Sequence, residues 1–197
     1  MRSDLLPSEP AVLAFDTSAA HCAAALLLRG QVLTVCETMQ KGQAERLMPL
    51  LQEFLRANRL DFSNLTRIGV GVGPGNFTGI RIAVSAARGL SLALGVRAVG
   101  VSGFDATRHA SGRSIAAIPA PRETAYIQKN GGDPRQVPLA DVPADAAWPD
   151  PEAQVAAIAR LAAAAPADTL RPTPLYIRAA DAAPARETRP VILDAGT

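Results

Sequence analysis

The chain is poor in the residues that most often carry chemistry. Its 197 residues include two histidines (His21, His109), two lysines (Lys41, Lys129) and two cysteines (Cys22, Cys36). The histidines lie far apart and form no HxxxH or HExxH pair, so a zincin-type metal motif is excluded. Neither lysine sits in an apolar run of the kind that favours Schiff-base chemistry. Ser18, Ser85 and Ser91 lack the strand-turn-helix elbow of a hydrolase nucleophile. The cysteines have no CxxC spacing and fall in apolar, strand-like runs. They read as buried thiols of a reducing compartment, with one disulfide as the alternative.

Long apolar runs and a charge bias are missing as well. The longest apolar run, Cys22 to Leu28, is far too short to span a bilayer. The opening MRSDLLPSEP places an acid and two prolines before any apolar run, unlike a signal peptide. The expectation is a soluble, cytoplasmic protein. The formal charge is only +2. A protein that holds nucleic acid by itself usually shows a larger basic excess or basic clusters, so any such role is expected to be shared with a partner. Arginine far outnumbers lysine, an excess that genomic base composition accounts for without invoking function.

What is present is a core. With 48% apolar residues the chain suits one large domain or two small ones. Residues 1–10 read as a tail. Ala11 to Phe15, Ala23 to Leu28 and the segment around Val32 and Val35 read as three strands of a meander, broken at Asp16-Thr17-Ser18 and Arg29-Gly30. Leu47, Leu50, Leu51, Phe54 and Leu55 share one helical face, with Pro49 marking a start or a bend. Ile68 to Val72 predicts a strand, Thr78 to Leu94 a second helix stopped by Gly95, and Ala98 to Val101 another strand. Beyond residue 103 the pattern weakens. Ile115 to Ile118 and Ala125 to Gln128 read as paired strands, Asn130-Gly131-Gly132 as a hairpin turn, and Glu152 to Ala165 as an alanine-rich helix. This echo of the opening suggests an internal duplication and two α/β lobes, at 11–103 and 104–197.

Two motifs bear on chemistry. Asp16-Thr17-Ser18 could offer an acid to Mg²⁺ and hydroxyls to phosphate, or could be a turn whose side chains bond backbone amides. Gly73-Pro74-Gly75, opening the helix at Thr78, could cradle an anion or simply turn sharply. A Walker loop would need a Gly-Lys-Ser/Thr ending, which is absent. Asp16, Thr17, Ser18, Gly73, Pro74, Gly75 and Thr78 are therefore the candidate, vestigial phosphate site. An independent ATPase or small-molecule kinase would hold phosphate and Mg²⁺ with Asp16, Thr17 and Gly73 to Gly75.

The segments LAFDTSAAHCAAALL, QAERLMPLLQEFL, GVGPGNFTGIRIAVSAARGLSLALGV and VGVSGFDA, in this order, resemble the TsaB (YeaZ) family, as does PLYIRAADAAP further on. The resemblance implies a two-lobed α/β fold of the actin-like, sugar-kinase and Hsp70 (ASKHA, ribonuclease H-like) type with a reduced second lobe. It implies a non-catalytic subunit that pairs with the threonylcarbamoyl transferase TsaD, alongside the ATPase TsaE. Their product is N6-threonylcarbamoyladenosine at adenosine 37 of tRNAs reading ANN codons. The subunit itself is assigned no metal and no cofactor, with ATP or ADP at the complex interface as the candidate nucleotide. tRNA would be contacted through the complex, and a homodimer would form without TsaD. The expected partner surface is Glu45, Arg46, Met48, Leu51 and Leu55 of the first helix with Ala83, Ala87, Leu90, Ser91 and Leu94 of the second. Glutamate at Ala87 or Leu90 would then abolish pairing and leave the fold intact. Two departures stand out: Gln43 replaces the family's histidine before AERL, and Pro119-Ala120-Pro121-Arg122 replaces Asp-Ala-Arg-Arg, with Tyr126 in place. A peptidase reading, attached to relatives, lacks a triad or metal pair.

Overall fold

The computed structural model describes residues 11–177. The N-terminal tail and the part of PLYIRAADAAP beyond Ile177 lie outside the described residues. β1 (Val12–Asp16), β2 (His21–Leu28) and β3 (Gln31–Thr38) form the expected antiparallel meander. β4 (Arg67–Gly71) and β5 (Arg97–Val101) add parallel to β1, giving the order β3-β2-β1-β4-β5.

The period of two along these strands divides the core. Leu13 and Phe15 of β1 and Cys22, Ala24 and Leu26 of β2 face one layer. There they meet α1 (Gln43–Ala57) through Leu47, Leu50, Leu51 and Leu55, and α2 (Phe77–Leu94) through Ile80, Ala83, Val84 and Ala87. Val12, Ala14, Ala23 and Ala25 face the other layer, against Val155, Ile158, Ala159 and Ala162 of α4 (Pro151–Ala164). Every residue of β1 is buried, and each large side chain so placed contributes roughly 1.5–3 kcal/mol. The alanines of β2 and Gly69 let α4 sit close: a Cβ at Gly69 would lie 2.9 Å from that of Ala162. α4 starts at the Asp150 cap with Pro151 in the first turn. It ends where the Arg67 guanidinium donates to the carbonyls of Ala162, Ala163 and Ala165 at 2.7, 3.0 and 2.7 Å. Although α4 follows residue 103, its packing is onto the first sheet.

α2 has the length and composition to cross a bilayer. Here it lies along the sheet, capped by Asn76 at its start and by left-handed Gly95 at its end. Pro49 lies inside α1, not at its first turn. α3 (Gly103–Ser111) has no counterpart among the elements the sequence pattern predicts. It is set by the Ser102 cap, which accepts from the Asp105 N–H, and by Gly112 at the far end. With only Phe104, Ala106 and Thr107 buried beside Gly103, it offers almost no apolar periodicity to read.

Between α3 and α4 the chain forms a three-stranded antiparallel sheet: β6 (Ile115–Ala120), β7 (Thr124–Lys129) and β8 (Arg135–Pro138). Phe104 of α3 packs against Ala116 and Ile118 of β6 and so ties this small sheet to the first lobe.

Candidate functional site

The Asp16-Thr17-Ser18 turn and the glycine loop are brought into direct contact. One oxygen of Asp16, Oδ1, accepts from the Ser18 N–H at 2.9 Å, the Ser18 hydroxyl at 2.8 Å and His21 Nε2 at 3.1 Å. The other, Oδ2, rests against Gly71, where a Cβ would lie 1.8 Å from it. Asp16 is 2% exposed and His21 6%. Oδ1 is thus engaged by its own turn and by His21, whereas Oδ2 accepts no hydrogen bond among the described residues.

The loop glycines are engaged likewise. A Cβ at Gly75 would meet the Ser18 carbonyl at 2.3 Å, and one at Gly79 the Thr17 carbonyl at 1.9 Å. The Asn76 N–H donates to the Ser18 carbonyl at 2.7 Å, and the Thr17 hydroxyl donates to the Gly79 carbonyl at 2.6 Å. Asn76 Oδ1 caps the Gly79 N–H. Gly73, at φ +96, takes a backbone that favours glycine, and its carbonyl accepts from the Gly103 N–H. The two polypeptide turns interlock backbone to backbone. The Ser18 and Thr17 carbonyls stand against Gly75 and Gly79, and dipoles so placed disfavour negative charge beside those two glycines. Of the candidate phosphate residues, Asp16, Thr17, Ser18, Gly73, Pro74 and Gly75 do converge, while Thr78 is exposed on the first turn of α2.

Beside this junction opens a cleft of about 660 Å³ between the lobes. Ser18, His21, Gln40, Gln43, Asn76 and Gln154 are among its polar lining residues, and Pro74, Pro119, Pro121 and Tyr126 among its walls. Among the described residues no lysine, arginine or carboxylate lines it. Both departures from the family pattern, Gln43 and the 119–121 prolines, fall here. The His21–Asp16 contact is legible in principle, since the two residues flank a four-residue connection between antiparallel strands.

The two helices correct the expected partner surface. Leu51, Leu55, Ala83 and Ala87 are between 0 and 1% exposed and belong to the core. Each helix has one apolar stripe, and the sheet takes it. Glutamate at Ala87 would therefore disrupt the fold, not a contact. Leu90, Ser91 and Leu94 are half-buried, and the Ser91 hydroxyl donates to the Val96 carbonyl. Arg46 is held by Glu37 and Glu53, each at 2.7 Å, and this pairing sets both carboxyls below and the guanidinium above their ordinary ranges. Glu45 and Met48 remain exposed. On α2, Phe77 is 54% exposed and stacks on Tyr176 at 5.0 Å between ring centroids. Arg81 lies 5.3 Å from the Phe77 ring on the same surface.

Fold and junction together define a two-lobed α/β protein of the actin-like, sugar-kinase and Hsp70 class, with a small second lobe. Comparison with known proteins agrees. The family profile described as TsaD, tRNA N6-adenosine threonylcarbamoyltransferase, matches residues 34–135. The Haemophilus influenzae tRNA threonylcarbamoyladenosine biosynthesis protein TsaB is 30% identical over 124 residues, 60% of this chain and 52% of that protein. The Escherichia coli TsaB protein is 33% identical over 91 residues, 46% of this chain and 39% of that one. The chain spans about half the length, or less, of these relatives. YeaZ from Pseudomonas aeruginosa shares the fold at a TM-score of 0.72 and 24% identity, covering 86% of this chain and all of that one. The chain belongs to the family of that profile, and within it to the TsaB/YeaZ proteins.

Proposed function

We propose that the chain serves threonylcarbamoyladenosine formation in tRNA as a non-catalytic subunit, paired with TsaD and assisted by TsaE. The observation that carries this reading is the interlocked junction. The turn that would hold Mg²⁺ and the loop that would hold phosphate bind each other, and their main product is the orientation of α2. The exposed strip of α1 and α2 then supports the partner role. Met48, Phe77 and Ile82 give it apolar contact area, with Glu45 and Arg81 at its margins. Apolar and aromatic anchors ringed by polar groups suit a protein interface.

The test is capture of TsaD by the tagged chain. Met48→Glu, at an exposed side chain, should lower capture at least tenfold while the unfolding midpoint changes little; Ile82→Glu should lower capture likewise, with some loss of stability because Ile82 packs in part against the core. Capture by both variants equal to the unaltered chain would refute the assignment of this surface. Calorimetry with ATP decides against the kinase reading if the chain alone gives no heat of binding. ATP binding lost in Asp16→Ala would restore it.

A further inference from the structure

The end of the first sheet remote from the cleft is basic, although no stretch of sequence is. The parallel strands β4 and β5 begin there at Arg67 and Arg97, which are register partners. β2 runs the other way, so the Arg29-Gly30 turn is delivered to the same end. α1 starts at Gln43 beside the cleft and finishes at this end with Arg56 and Arg59 close by. Of the acids near these arginines in the chain, Glu53 is taken by Arg46 and Asp61 caps a short turn through Ser63, leaving Asp168.

At its β5 margin is a groove of about 750 Å³ lined by Arg88 of α2, Arg97 of β5 and Arg171 of the segment after α4, with the hydroxyl-bearing Ser91 and Thr169. Among the described residues no acid lines it. Among those same residues none of the three arginines is paired with a carboxylate. Arg88 Nε donates to the Pro172 carbonyl at 2.9 Å, which fixes the guanidinium and leaves its other N–H groups for an outside acceptor. Planar guanidinium forks from three separate elements, converging without counter-ions, match phosphate oxygens.

We infer that this groove binds the phosphate backbone of RNA directly. The inference rests on the proposed role in tRNA modification and deepens it by placing an RNA contact on this subunit itself. Phosphate contacts of this kind position a nucleic acid without reading its sequence, so the groove would orient tRNA and leave base recognition elsewhere.

The test is fluorescence anisotropy of a labelled tRNA transcript titrated with the full chain across a range of salt. Arg97 and Arg171 donate no side-chain hydrogen bond within the described residues, so Arg97→Gln/Arg171→Gln should keep the unfolding midpoint. That variant should bind more weakly and flatten the plot of log affinity against log salt by about 2, roughly one per lost phosphate contact. Arg122→Gln/Arg135→Gln, in the second lobe, should match the unaltered chain. Equal affinity and slope for the groove variant overturn the inference. So does groove-dependent binding of inorganic pyrophosphate or of polyglutamate without binding of RNA, which would mark a small-anion site or an acidic protein's dock. Because the chain is measured alone, this can fail while TsaD capture succeeds, and the reverse.

Discussion

Gly79→Ala gives an unusually clear test of the interlocked junction, because ordinary helix energetics predict the wrong sign. Gly79 lies in the first turns of α2, where alanine would normally stabilise by about 1 kcal/mol. Here the new Cβ would sit 1.9 Å from the Thr17 carbonyl oxygen. That oxygen belongs to a buried backbone held by the Thr17–Gly79 hydrogen bond at 2.6 Å, so it cannot swing aside as a surface side chain would. Relief of such overpacking costs about 1–3 kcal/mol. Loss of the buried hydrogen bond adds about 1 kcal/mol or more. Set against the helix gain, the net is a destabilisation of roughly 1–3 kcal/mol, or about 2–12 °C in Tm for a chain of this size. Gly89, further along α2, has nothing within 4 Å of the position a methyl group would take, so Gly89→Ala should gain up to about 1 kcal/mol. Urea unfolding followed by circular dichroism measures both. If the two substitutions shift the midpoint in the same direction, the glycine loop is not packed as described.

Other consequences follow from single side chains. Arg67→Ala releases three carbonyls at the end of α4 and should cost about 1–2 kcal/mol in urea unfolding, whereas Arg67→Lys, which also offers three N–H donors on one nitrogen, should recover much of it. Burial and the nearby Glu37 push the Cys22 thiol up to about 11, and burial and Glu152 also raise Cys36. Native protein near pH 8 should thus react slowly with iodoacetamide, half-buried Cys36 before fully buried Cys22, as peptide mass mapping would show. Because the raised thiol favours the folded state only while the unfolded thiol stays protonated, the Cys22 contribution to stability is full below about pH 8.5 and is lost as pH climbs toward 11.

The first half of the chain is largely legible in its sequence because its signals are local. The meander, the strand-to-helix turn and the C-terminal end of α2 are written as continuous apolar runs and glycines. Where sequence and structure part, local signals are ambiguous or missing. An apolar helical stripe shows that something covers it, not what, so Leu51, Leu55, Ala83 and Ala87 suit a partner surface in sequence and the sheet in space. α3 escapes a pattern reading because its stability comes from Ser102, Gly112 and one buried phenylalanine, with little periodicity. The basic end cannot be read at all. Arg29, Arg59, Arg67, Arg97 and Arg171 are scattered along the sequence, and only the fold brings them to one edge. The glycine loop shows in sequence that it lacks the acids and lysine of a working phosphate site. What packs against it, the Thr17 and Ser18 backbone, emerges only in three dimensions.

Reconstitution tests the role in tRNA modification most directly. Unmodified tRNA, threonylcarbamoyl-adenylate, TsaD, TsaE and ATP would be combined with and without this chain, and N6-threonylcarbamoyladenosine quantified by nucleoside mass spectrometry. Product should form only when the chain is present, with a matching loss for Ile82→Glu. Equal product without the chain, or product from the chain in the absence of TsaD, would contradict a non-catalytic partner role.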